Sequence, residues 1–315
     1  VGGAGYLGGA ITDELISASH NLRVYDNLLY EERYLKDVPF VLGDVRDTRA
    51  LSQQLDWADT VIWLAALVGD GACAADPSIS WEINKDALVW AEEHFDGRIL
   101  FPSTCSVYGA NEELLDENSS LNPLSVYAET KVSCEQVLQG KNAMVFRLGT
   151  LFGLGDAYSR IRLDLVINVL TLKGLQDGVV QIFGGDQYRP VLHVRDAARA
   201  IATNVTADHL GIYNLHAENV RIKDLPEFLR PSLPALEVEY TEASFEDSRN
   251  YKVTSQKAID AFAFNTRYSI SDGISEMQAF LAENRIKDTS HPRYSNSAFV
   301  RGLIEAGQLG RFYDK

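Results

Sequence analysis

Apolar residues change period repeatedly along this chain. Behind a glycine cluster, Ala10, Ile11, Leu15 and Ile16 recur at helical spacing, and Leu22-Arg23-Val24-Tyr25 then reads as a strand. Pro39-Phe40-Val41-Leu42 reads as a third strand, counting one that ends at the glycine cluster, and Thr60-Val61-Ile62-Trp63-Leu64-Ala65-Ala66 as a buried fourth. Helical spacing returns over residues 76–94, with Trp81, Leu88 and Trp90 among the apolar positions, and again from Tyr127 to Leu138. Arg98-Ile99-Leu100-Phe101-Pro102 and Ala143-Met144-Val145-Phe146-Arg147-Leu148 supply two more strands. Later come a core helix after Arg162, a strand at Val179–Phe183, a turn at Gly184-Gly185-Asp186 and a strand at Val191–Val194. A helix from Arg195, a strand at Gly211–Leu215 and a helix start at Ile222 follow.

Strands that alternate with helices predict an α/β fold, a Rossmann-type doubly wound parallel sheet, with a smaller mixed α/β lobe for substrate. The expected division is 1–160 plus 190–217 for the sheet domain, 161–189 plus 218–285 for the lobe, and a tail over 286–315. The chain opens at Val1-Gly2 without a methionine, so the first strand is expected to lack its opening residues. The tail is polar and glycine-punctuated, with one apolar stretch at Phe299 to Ile304, and is expected to pack on its own or a partner subunit.

Charge narrows the ligands. The 315 residues carry a formal net charge of −15, which argues against nucleic acid and anionic membrane as partners. A phosphorylated ligand must then be held by local donors. No apolar run approaches a membrane span. Cys73, Cys105 and Cys134 have neither disulfide nor metal spacing, which suits a reducing cytoplasm.

Gly2-Gly3-Ala4-Gly5-Tyr6-Leu7-Gly8-Gly9 opens into the first helix. Glycines here permit a tight turn and close approach of the backbone to a diphosphate, and the helix N-terminus supplies N–H groups and a positive partial charge. Asp26, with Asn27 beside it, follows the second strand where a carboxylate accepts from the adenosine ribose hydroxyls and repels a 2′-phosphate. The cofactor expected is therefore NAD. At the exit of the third strand, Asp44 could bond the adenine amino group and Val45 pack on its ring, or Asp44 could cap the next helix. Leu64, Ala65 and Ala66 end the fourth strand with small residues, as a nearby cofactor requires. Asn84 reads as structural.

Ser103-Thr104-Cys105-Ser106-Val107-Tyr108-Gly109 and Tyr127-Ala128-Glu129-Thr130-Lys131 carry the chemistry. In a helix, Lys131 lies one turn after Tyr127 on the same face. A cation there favours the phenolate and lowers the tyrosine pKa toward working pH, which makes Tyr127 a candidate acid/base for an alcohol. Thr104 could hold that alcohol from the other side. Thr150, at the end of the sixth strand, faces the same site, and Arg162 is a candidate phosphate contact.

The segments GGAGYLGG, GDVRD, WLAA, STCSVYG, YAETK, FRLGTLFG and RPVLHVRDAARA, in this order and with Asp26, resemble the extended short-chain dehydrogenase/reductase superfamily, in its nucleotide-sugar epimerase/dehydratase branch. LAALVGDGAC, RIRLDLVINVLT and DSRNYKVTS are similar to enzymes acting at C4 of nucleotide-linked hexoses and heptoses, including dehydrogenases of GDP-heptose type. The resemblance implies a nucleotide-diphosphate sugar substrate, with Tyr127 as acid/base, Lys131 on the nicotinamide ribose and Thr104 on the reacting hydroxyl. It implies that Arg189 grips the nucleotide diphosphate, unless it pairs with Asp186 or Asp196. Asp247 would bind the nucleoside ribose and Arg249 its phosphate, a surface ion pair being the alternative for either. His193 reads as structural. The family's water-eliminating members carry an Asp-Glu pair directly after the threonine; here Cys105 and Ser106 stand there. That disfavours dehydration and leaves a 4-epimerase, with a 4-dehydrogenase or ketoreductase as the alternative and a non-catalytic dinucleotide binder as a minor one. Cys105 is either a substrate contact or a packing residue. The resemblance also implies a homodimer through the helices at 76–94 and 127–138.

Overall fold

The computed structural model describes residues 1–241 and 249–309. The first half contains α1 (Tyr6–Ser17), β1 (Val24–Asp26), β2 (Phe40–Leu42), α2 (Thr48–Leu55), β3 (Thr60–Ile62), α3 (Asp70–Ala75), α4 (Pro77–Trp81), α5 (Ala87–Glu93), β4 (Arg98–Thr104), β5 (Ala110–Leu115), α6 (Val126–Leu138), β6 (Ala143–Leu148) and β7 (Thr150–Phe152). The second half continues with α7 (Val166–Asp177), β8 (Val179–Phe183), β9 (Tyr188–His193), α8 (Val194–Thr203), β10 (Gly211–Leu215), β11 (Glu218–Arg221), α9 (Leu225–Leu229), β12 (Glu237–Thr241), β13 (Asn250–Val253), α10 (Gln256–Phe262), α11 (Ile270–Ala282) and α12 (Asn296–Glu305).

Strands β3, β4, β6 and β10 form a parallel sheet, and β1 pairs in parallel with β2. Val1 and Gly2 join the two. The Val1 amine donates to the Ile62 carbonyl at 3.0 Å, the Leu64 N–H to the Val1 carbonyl at 2.8 Å, and the Gly2 N–H to the Tyr25 carbonyl at 2.7 Å. The chain therefore leaves residues 1–2 toward β1 on one side and returns to β3 on the other. That reversal is the topological switch where such sheets bind ligands.

Both faces of the sheet are buried, which explains its near-continuous apolar strands. Side chains alternate between the faces. Leu100, Met144 and Phe146 pack under α1 and α8 on one face. Ile99, Phe101 and Val145 pack against α2, α5 and α6 on the other. A second group of elements, the sheet β11-β9-β7, whose β11–β9 pair is antiparallel, the parallel pair β12–β8, and helices α7, α9 and α11, packs over a separate core; the lobe is built on it, and β7 and β9 enter it from segments expected in the sheet domain.

The long helix expected over 76–94 is present but not uniform. Asp76 caps it by accepting from the Ile79 N–H at 3.0 Å, and Pro77 occupies the first turn. Between α4 and α5 a π-helical turn spans Glu82–Asp86. The wider turn accompanies a buried Asn84, whose Oδ1 accepts from the Leu67 N–H at 2.7 Å and whose Nδ2 donates to the Leu67 carbonyl at 2.9 Å. Asn84 is structural, as its sequence suggested: it pins the loop after β3.

Two elements differ from the sequence expectation. Residues 110–115 and 250–253, for which the sequence predicted no strand, pair as parallel strands β5 and β13. β5 is mostly exposed and acidic along Asn111-Glu112-Glu113, so it carries no apolar alternation. The tail forms α12, which packs on α3 and whose Val300 is fully buried with Leu67, Ala72 and Cys73.

Candidate active site

A cavity of about 940 Å³ runs from the glycine turn, past the ends of β3 and β4, into the lobe. Its size lies at the upper end for ligand sites. Among the described residues it is lined by Gly2, Gly5, Tyr6, Leu7, Gly8, Asp26, Asn27, Asp44, Val45, Leu64, Ala65 and Ala66 at one end. Thr104, Ser106, Tyr127, Lys131, Thr150, Arg162, Arg189 and Arg249 continue it. Two candidates are not among them. Cys105 is 1% exposed and packs with Val107, Tyr108 and Tyr251 while its Sγ donates to the Arg147 carbonyl at 3.2 Å. Its role as a substrate contact is corrected: the residue after Thr104 turns its side chain into the core. Asp247 lies outside the described residues.

The glycine turn fits a dinucleotide. A Cβ on Gly2 would stand 2.3 Å from the Ala65 nitrogen, and its φ of +78° already requires glycine. A Cβ on Gly8 would stand 2.7 Å from Gly3. These positions bring the turn hard against the end of β3. No side chain caps α1 at Gly5, so its N-terminal turn is left for a ligand. Asp26 is held ready: its carboxylate accepts from the Ala4 N–H at 2.9 Å and the Leu28 N–H at 2.7 Å. Asp44 is not a helix cap, since Asp47 caps α2. Burial acts to raise the Asp44 pKa, but Arg46, donating to both carboxylate oxygens, and Asn27 overcome it and hold the group below the usual carboxylate range.

The candidate reaction-centre residues are placed by β4 and α6. Ser125 caps α6, accepting from the Ala128 N–H at 3.2 Å, and so sets Tyr127 in the first turn. Lys131 Nζ donates to the Pro102 carbonyl at 2.8 Å and lies 5.9 Å from the Tyr127 ring centroid. Below them, Ser103 donates to Glu135 at 2.5 Å, and Glu135 forms a forked ion pair with Arg147, 2.6 Å at its shortest.

The electrostatics correct one expectation. Lys131 was expected to bring the Tyr127 phenol toward working pH. Instead burial pushes the phenol well above its ordinary value, Cys73 and Asp70 add to this, and Arg162 opposes it. Burial also lowers the Lys131 pKa. Desolvation disfavours the charged form of both groups. The lysine's ammonium, anchored on a carbonyl, does not outweigh that.

Toward the lobe, Thr104 donates to Ser106 Oγ at 3.1 Å, and Arg249 donates to the same oxygen at 3.3 Å. Arg249 also pairs with Asp70 at 2.7 Å, while Asp70 accepts from Ser125 Oγ at 2.6 Å. Arg249 thus lines the cavity with Asp70 as an ion-pair partner. Arg189 donates to the Tyr188 carbonyl at 2.8 Å and to the Arg249 carbonyl. Neither Asp186 nor Asp196 is its partner: Asp186 pairs with Lys223, and Asp196 with Arg199 at 2.8 Å. Arg162 is forked onto Asp164 at 2.6 and 3.1 Å. His193 is a structural residue, bonded to Glu276 at 2.6 Å and stacked on Tyr268.

Sequence reasoning passed over Asp70, Arg160 and Asn296, which also line the cavity. Asp70 follows Gly69 at the start of the short helix α3, too short to show periodicity, and Asn296 sits in the tail, so neither offered a pattern.

Fold and cavity together define a dinucleotide-dependent enzyme whose ligand cavity runs from the glycine turn, past Tyr127, into a second lobe. The chain belongs to the NAD dependent epimerase/dehydratase family, whose model matches residues 1–215; its cofactor is NAD. It is 28% identical over 233 residues to an uncharacterized UDP-glucose epimerase of Bacillus subtilis, covering 66% of this chain and 72% of that protein. It is 27% identical over 321 residues to a dTDP-glucose 4,6-dehydratase of an Actinoplanes species, covering 90% and 97%. It superposes on the UDP-glucose 4-epimerase of Thermotoga maritima with a TM-score of 0.79 at 20% identity, covering 90% of this chain and 98% of that one. Among the described residues no helix is long and apolar enough to cross a membrane.

Proposed function

We propose that this protein is an NAD-dependent nucleotide-sugar 4-epimerase. The observation that carries this reading is the convergence of Thr104, Tyr127 and Lys131 with Arg189 and Arg249 in one cavity that contains no Asp-Glu couple beside Thr104. Tyr127 takes the proton of the C4 hydroxyl, Thr104 orients that hydroxyl, and Lys131 holds the nicotinamide ribose. NAD in this site would supply the hydride acceptor and donor, and its positive ring would favour the phenolate against burial. The keto-sugar turns over between the two transfers, so the second reaches its other face. Arg189 and Arg249 hold the nucleotide diphosphate, and Thr150 and Ser106 border the sugar.

Dehydration is the competing reading, since a dehydratase is among the relatives. It needs an acid/base couple to expel water from the ring substituent. Cys105 is buried and its thiol is pushed up by desolvation. Ser106 is no acid at neutral pH. Asp70 is engaged by Arg249 and Ser125.

Incubation with UDP-, GDP- and dTDP-hexoses tests the reading. The expected outcome is isomerisation of one of them without net reduced cofactor. A product lighter by one water identifies a dehydratase, and stoichiometric NADH with a keto-sugar identifies a 4-dehydrogenase; either refutes the epimerase. A homodimer through α4–α5 and α6 belongs to the same proposal, supported by the half-buried Trp90 stacked on His94. Sedimentation should give the mass of two chains, and a single-chain mass at micromolar concentration rejects it.

A further inference from the structure

The segment after β7 crosses the N-terminal turn of α1 and leaves Arg160 in the cavity. Gly155 abuts the Tyr6 carbonyl, and Asp156 and Ser159 abut Gly9. Lys36 fastens this crossing, bonding the Gly9 carbonyl at 2.6 Å and Asp156 at 2.8 Å. From the other side Asn296, at the start of α12, donates to the Val68 carbonyl at 2.8 Å and accepts from Arg160 Nη2. Arg160 therefore lines the same cavity as the α1 N-terminus, from a segment that lies against α1 at Gly9 and is bonded to Asn296, which reaches the loop after β3.

The arginine is 7% exposed, yet among the described residues no carboxylate lies within ion-pair distance of it. Its Nη1 donates to the Arg293 carbonyl at 2.9 Å and its plane lies 3.8 Å over the Tyr30 ring. The nearby carboxylates are engaged elsewhere: Asp164 by Arg162, and Glu31 by Arg293 and the Arg160 N–H. Burial and the neighbouring charge of Arg162 lower the Arg160 pKa to about 10. A buried cation without a counter-ion is costly, and an anion brought to it relieves that cost.

We propose that Arg160 is a binding residue for the diphosphate of NAD, presented opposite the α1 N-terminus and locked in place by Asn296 and Arg293 of the C-terminal segment. The tail then belongs to the cofactor site. The inference goes beyond the epimerase reading and does not depend on it, because it concerns the cofactor before any sugar is present.

ADP, adenosine and UDP, titrated calorimetrically into protein stripped of NAD, test it without catalysis. Arg160→Gln should weaken ADP by roughly 10–100-fold, the range for a hydrogen bond to a charged group, and leave adenosine within about twofold. Arg160→Lys should recover part of the loss. Equal ADP affinity in Arg160→Gln overturns the proposal, as does a parallel loss for adenosine or a loss confined to UDP. In wild-type protein labelled with 15N-arginine, the Arg160 side-chain resonance, assigned from Arg160→Lys, should move with ADP and not with adenosine. An unmoved resonance is decisive against the proposal even where the Gln variant fails to fold.

Discussion

Tyr127→Phe should abolish isomerisation, with kcat falling roughly 10²–10⁴-fold, while NAD stays bound. The phenol oxygen is the only atom removed. The ring keeps its place beside Leu67, Cys73 and Val300, and Lys131 keeps its bond to the Pro102 carbonyl. Cofactor released on denaturation, measured against wild type, checks that the NAD site survives. The size of the loss reflects a steep local problem. Burial drives the phenol away from ionisation, so the proton can leave only where charges around the bound ligands compensate. Turnover within tenfold of wild type would assign the proton to another group.

The second large effect is on stability. Glu135→Ala should cost about 3–5 kcal/mol, because it strands the buried Arg147 guanidinium without its carboxylate. Burial would lower the Arg147 pKa, but Glu135 raises it beyond its ordinary value. The expected readout is a lower denaturation midpoint with an unchanged slope. Joint replacement, Glu135→Leu with Arg147→Met, should return much of the loss, since an apolar pair of similar volume replaces the ion pair. A single-variant cost below about 1 kcal/mol would show that the interior around Ser103 and Tyr108 rehydrates readily.

The chain's own pattern disclosed the sheet domain well. Strands such as Ile99-Leu100-Phe101 and Met144-Val145-Phe146 are buried on both faces, so their apolar runs are unbroken. The glycine turn is legible for a related reason: Gly2 and Gly8 have no room for a Cβ, so the residue type itself records the contact. Thr104, Tyr127 and Lys131 were legible because a strand end and one helical turn fix their relation. What escaped was set by long-range contact. The sequence left Cys105 as either a substrate contact or a packing residue, and the 3-10 turn after β4 decides for packing by rotating it into the core. β13 follows a polar segment, and β5, its partner, is mostly acidic and solvent-facing. Arg160 and Asn296 become meaningful only once the tail folds back, which local periodicity does not report.

That fold-back also carries a consequence in time. Asn296 meets Val68 across 228 residues of chain, and Arg293 meets Tyr30 across 263. A ribosome delivers the glycine turn early, and an N-terminal sheet begins to form while synthesis continues. The part of the cavity wall contributed by Asn296 cannot exist until that residue emerges. That side of the cavity is thus completed only when α12, the last helix among the described residues, has folded back.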